Sequence, residues 1–132
     1  MKELINAIGK KSLAIILTVY WLIIFIGTSL PGNSLHYISG FSDKFKHTVA
    51  YMGLTFLLYW LLYLKNKKND LTRKQLARLI ILISAYGIID ELHQLFIPGR
   101  SCDIRDWFAD ILGLFFGILI AKFWFVKKVV KS

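Results

Sequence analysis

Side chains able to hold a ligand or move a proton recur here at helical spacing: Asp43, Lys44, His47 and Tyr51; then Asp90, Glu91 and Gln94; then Arg100, Asp106 and Asp110. A carboxyl partly withdrawn from water beside a histidine can be tuned toward neutral pH, which suits general acid/base work. On that reading Glu91 is the base, His47 its nearest charged neighbour and Asp106 the third catalytic residue. No serine or cysteine nucleophile stands at an inward position, since Ser101 and Cys102 fall in a connection. A binding site asks less of the same groups: Asp43, Lys44, Tyr51, Asp90, Gln94, Arg100 and Asp110 offer charges and hydrogen bonds to a polar ligand. A third reading is structural, with Lys44, Arg100 and Arg105 pairing Asp90, Glu91 and Asp110 to fix helix order. His47, Glu91, His93 and Asp106 also have the nitrogen and oxygen donors that metals take. There is no H-E-x-x-H, no cysteine pair and no E-x-x-H, Asp90-x-x-His93 being the nearest approach, so neither a metal nor a cofactor is expected.

The elements that must position these groups are membrane helices. The chain has 132 residues, 56% of them hydrophobic, with a mean hydropathy of +0.56, too apolar for a small domain with a wetted surface. Stretches 12–30, 47–64, 76–97 and 107–126 are each near the roughly 20 residues that cross about 30 Å of hydrocarbon. Irregular backbone cannot face lipid, so the expected fold is all-α: one domain, an integral membrane bundle of four transmembrane helices. The first stretch is longer than a signal-peptide apolar region and has no A-x-A-like site after it, so it reads as retained. With about 100° of turn per residue, Asp103, Asp106, Asp110, Gly113, Gly117 and Ala121 form one stripe on the last helix. That stripe is polar at one end and small at the other, a seam for close approach of a neighbour, with Lys122 nearly opposite. Tyr86, Gly87, Asp90, Glu91, His93 and Gln94 share under half of the third helix, and Tyr51, Tyr86, Phe96 and Trp107 are available to line a pocket.

Orientation follows the cations, because cytoplasmic flanks are enriched in Lys and Arg. Thirteen of the seventeen lie before the first helix (Lys2, Lys10, Lys11), between the second and third (Lys65, Lys67, Lys68, Arg73, Lys74, Arg78) or at the end (Lys122, Lys127, Lys128, Lys131). Both termini are therefore expected inside, N-in and C-in, in a multi-pass protein of the bacterial plasma membrane. Of the eight acids, only Glu3 and Asp70 fall on that side, so the carboxylates gather outside. The net charge of +9 flanks apolar spans and makes no separate domain, which points to membrane lipids as partners and away from nucleic acid. Cys102 is the single cysteine and makes no internal disulfide.

The ordered set Asp43-Lys44, His47, Tyr51, then Asp90-Glu91 with Gln94, then Pro98-Gly99-Arg100-Ser101 with Asp106, Asp110, Gly113 and Gly117 resembles the VanZ-like family, named for an accessory protein of teicoplanin resistance. Position 110 departs mildly, since the family often has Asn there. The resemblance implies a small bacterial membrane protein linked to glycopeptide (teicoplanin-type) antibiotic resistance or to cell-envelope maintenance, with a polar pocket at the outer leaflet for an envelope lipid or the antibiotic. Two alternatives stay open: a membrane-embedded acid/base enzyme acting on a lipid-linked envelope substrate, and a small proton or solute transporter. With four helices and no inverted repeat, the transporter would require an oligomer.

Overall fold

A computed structural model describes residues 8–32 and 42–125. Its elements, in chain order, are α1 (Lys10–Ser29), α2 (Asp43–Lys65), α3 (Arg73–Gln94) and α4 (Ile104–Phe125), with no strand among the described residues. At 1.5 Å per residue such helices are roughly 30–35 Å long, about the thickness of a bilayer's hydrocarbon. Lys2, Glu3, Lys127, Lys128, Lys131 and the final residue of the expected last span, Val126, lie outside the described residues.

Local chemistry sets the ends. Ser42 caps α2 by accepting the Phe45 N–H at 3.3 Å, so this helix begins at Asp43, a turn before the apolar run that foretells it. Thr72 and Gln75 make a reciprocal capping box at the start of α3. α3 stops at Gln94, not at 97: Leu95, Phe96 and Ile97 turn in a tighter pattern toward Pro98, and Gly99 takes a φ of 73° that favours glycine. The Gly32 N–H donates to the Pro98 carbonyl at 3.2 Å, tying the exit of α1 to that turn. The α2–α3 connection is pinned by Asn66, whose amide donates to Asp70 O at 2.8 Å, and by the Tyr59 hydroxyl on the Asp70 carboxylate.

The tightest packing is α4 on α2. A Cβ at Gly113 would lie against the Thr48 carbonyl oxygen, and one at Gly117 would meet Met52 O at 2.7 Å. Only glycine lets the backbones come this near. Thr48 also donates to Ala109 O at 3.2 Å across the same seam. We call the end where α2 and α4 begin and α1 and α3 finish the upper end. Toward the opposite end the interior is aromatic, with Phe125 stacked on Tyr63 at a centroid distance of 4.9 Å and close to Phe56 and Trp60.

The outside is apolar. Ile15, Ile23 and Ile26 on α1, Ile81, Ile88 and Ile89 on α3, and Phe108, Phe115, Leu119 and Phe123 on α4 are all exposed. Water would not tolerate so continuous an apolar surface; lipid does. α1, α2 and α4 are long and apolar enough to cross a membrane. α3 falls short by that measure because it carries Arg73, Lys74 and Arg78 near one end and Asp90 and Glu91 near the other. Asp90, Glu91 and Gln94 face inward, while Ile81, Ile88 and Ile89 face outward.

Candidate functional site

The upper end is inverted relative to the surface: the polar side chains are inside. His47, Asp90, Glu91, Gln94, Asp106 and Asp110 are all buried, none exposed by more than 7%. They come from three helices and cannot meet without the close α2–α4 seam. His47 Nδ1 lies 2.8 Å from Asp110 Oδ1 and 4.0 Å from Glu91 Oε1. Tyr51, one turn deeper on α2, donates its hydroxyl to Asp90 Oδ2 at 3.4 Å and stacks on Tyr86. Glu91 Oε2 accepts the Asp103 backbone N–H at 3.0 Å, so the α3–α4 connection folds back onto the carboxylate. Lys44 reaches from α2 to Asp103 at 3.3 Å and Asp106 at 3.1 Å. The Arg105 backbone N–H, with the Lys44 ammonium, holds the exposed Asp103 carboxyl below the usual carboxylate range.

Several expectations need correction. Arg100 does not pair with a buried carboxylate. Its guanidinium donates to the Gly27 and Leu30 carbonyls, each at 3.3 Å, and to Gln94 Oε1 at 3.5 Å. The end of α1 leaves carbonyls without partners and carries partial negative charge, which draws a cation. Arg105 contributes its backbone N–H and makes no ion pair with Asp90, Glu91 or Asp110. His47 does lie beside Glu91, at 4.0 Å, but its hydrogen bond goes to Asp110, a pairing not expected. His93 leaves the cluster for α1, where Nε2 lies 3.0 Å from Ser29 Oγ and the ring stacks on Phe25. Phe96, exposed at 82%, lines nothing inside. Trp107 braces α4 on α3 by donating to Ser84 O at 3.1 Å.

Beside the cluster, a groove of about 430 Å³ runs between α1 and α2. Ile23, Ile24, Val49 and Ala50 give it apolar walls, and Asp43, Lys46, His47, Tyr51 and Arg100 stand at its polar parts. Asp43 thus sits at the mouth, paired with Lys46 at 3.3 Å, rather than inside the cluster. Lys46 and Tyr20, whose hydroxyl donates to Ala50 O at 3.0 Å, were not foreseen from the sequence. Tyr20 sits in an uninterrupted apolar run, which gives no such signal; Lys46, between Lys44 and His47, could have been picked out by its spacing from Asp43.

The VanZ/LLP1 family model matches residues 12–126. The chain belongs to the VanZ/LLP1 family. An uncharacterized protein of Schizosaccharomyces pombe, C11E3.10, is 27% identical over 129 residues, covering 95% of this chain and 71% of that relative. No solved structure matches the chain. For a VanZ/LLP1 member, the cluster just described joins three of the segments on which the family resemblance rests: the first turns of α2, the end of α3 and the first turns of α4.

Proposed function

We propose that this chain spans the membrane with all four helices and binds an amphiphile of the outer leaflet, its tail along the α1–α2 groove and its polar head at Lys46, Arg100, His47 and Tyr51. The observation that carries the reading is the groove itself: apolar along Ile23, Ile24, Val49 and Ala50, and ending on Arg100, the Lys46–Asp43 pair, an imidazole and a phenol. Its volume lies in the ordinary range of small-molecule sites. α3 joins the bundle as a fourth span because its charged and amide groups are buried or sit at its ends while its lipid face is isoleucine and leucine. Lys65, Lys67, Lys68, Arg73, Lys74 and Arg78 crowd the lower end, which supports a cytoplasmic lower end, with both termini inside.

The ligand is an envelope lipid or a glycopeptide of teicoplanin type acting at the same surface. A relative in a yeast favours the lipid, a class of molecule both kinds of cell make. In a bacterial plasma membrane, sequestering or presenting such a lipid would alter antibiotic susceptibility without any bond being made or broken. The acid/base alternative draws on the His47–Asp110 contact and on Glu91 nearby. Binding is preferred because Glu91 is not part of the groove wall and no serine or cysteine stands there.

Mass spectrometry of the chain purified in mild detergent tests this. It should carry an amphiphile with an anionic head, and Ala50→Trp, which fills the groove, should lose it while remaining folded. A wild-type chain that co-purifies with no amphiphile, and that shows no saturable binding of envelope lipid extract, would refute the reading.

A further inference from the structure

We propose that His47, Glu91 and Asp106 form a binding site for one divalent first-row metal ion, Zn²⁺ or Mn²⁺, at the meeting point of α2, α3 and α4. One ligand atom from each lies within 4.8 Å of the others, and all three side chains are buried. An ion bonded at about 2.0–2.2 Å holds its ligand atoms roughly 3–4 Å apart, so closing the set takes side-chain rotation and no movement of a helix. One imidazole and two carboxylates make a donor set of borderline hardness, suited to zinc or manganese and not to a soft cuprous ion.

Two further observations point to a cation. Glu91 is 3% exposed, and its Oε1, the atom 4.0 Å from the His47 ring, has no hydrogen-bond partner among the described residues, as is also true of Asp110 Oδ2. A buried oxygen left so is costly unless a ligand takes it. The charges are unbalanced as well. Asp90, Glu91, Asp106 and Asp110 are four buried carboxyls; the ammonium of Lys44 touches only Asp106 among them, the guanidinium of Arg100 touches none of the four, and His47 is the other basic group in contact, on Asp110. Like charges packed in a medium of low dielectric must be offset by protons or by a cation.

The supports of a metal site are also in place. Asp110 holds His47 Nδ1 at 2.8 Å, so it is Nε2 that the ring must turn toward the ion with that carboxylate behind it, and the Asp103 N–H fixes Glu91 by its other oxygen. Lys44 competes for Asp106, but its side chain is nearly half exposed and free to swing to Asp103. Three protein ligands would leave a coordination position open. The site shares His47 with the groove but needs no lipid: an ion would brace three helices whether or not a lipid binds.

Full-length protein in detergent, loaded with Zn²⁺ or Mn²⁺ and dialysed against metal-free buffer, should retain one ion per chain by elemental mass spectrometry and melt at a higher temperature than the chelator-treated protein. Glu91→Gln and Asp106→Asn should lose both the ion and the shift; His93→Asn should keep both; Lys44→Gln should hold the ion at least as tightly. Should a site variant fail to fold, the wild-type chain decides alone, a retained ion with a raised melting temperature supporting the site. No ion above buffer background and no shift, or folded Glu91→Gln and Asp106→Asn proteins that still hold it, would overturn the proposal.

Discussion

Asp110 shows how finely one side chain is placed. It meets the imidazole of His47 across the α2–α4 seam, 1% exposed, directly beneath the turn that carries Asp106. Asp110→Asn keeps an oxygen for the His47 N–H at nearly the same size and should leave folding nearly intact. Asp110→Leu strips the buried histidine of its partner and should cost about 2–4 kcal/mol, read as a lower melting temperature in detergent. Glu91→Gln retains an acceptor for the Asp103 N–H and should leave membrane abundance near wild type, so that loss of an antibiotic-susceptibility or envelope phenotype in the folded variant would point to chemistry at the cluster rather than binding in the groove. Equal loss of abundance and phenotype in that variant would favour a purely structural cluster. The residue types were legible from spacing because carboxylates in apolar runs stand out. Their individual partners were not: His47 chose Asp110, Arg100 chose the carbonyls ending α1, and His93 chose Ser29, each by side-chain reach across helices that no one-helix projection contains.

Among the elements, the α2–α4 pair carries the assembly. The stripe from Asp106 through Ala121 was readable because its spacing keeps to one helix face, and the structure buries all of it against α2. Gly113→Leu drives a branched side chain into the Thr48 backbone and should destabilise the bundle by about 1–3 kcal/mol or more, and it should also separate His47 from Asp110. Denaturant or thermal titration in detergent measures the first; loss of co-purified amphiphile reports the second. Helix ends were less legible, since they depend on caps such as Ser42 and on the turn at Gly99 rather than on hydropathy. Gly99→Ala, at a φ of 73°, should cost about 1 kcal/mol and loosen the tie between the α1 and α3 exits. The groove between α1 and α2 was invisible in the sequence because an apolar residue lining a cavity and one facing lipid have the same composition.

On the scale of the molecule, the chain is a bundle with lipid-compatible walls, a polar chamber at one end and cations at the other. Each part of the functional reading depends on which side of the membrane that chamber faces. Cys102, the single cysteine of the sequence, is exposed in the α3–α4 connection, next to the backbone that caps Glu91. A membrane-impermeant maleimide applied to intact cells therefore reports the side of the chamber directly. The account predicts that Cys102 is labelled without permeabilisation and that Cys102→Ser abolishes the signal; labelling that appears only after the membrane is opened would contradict it.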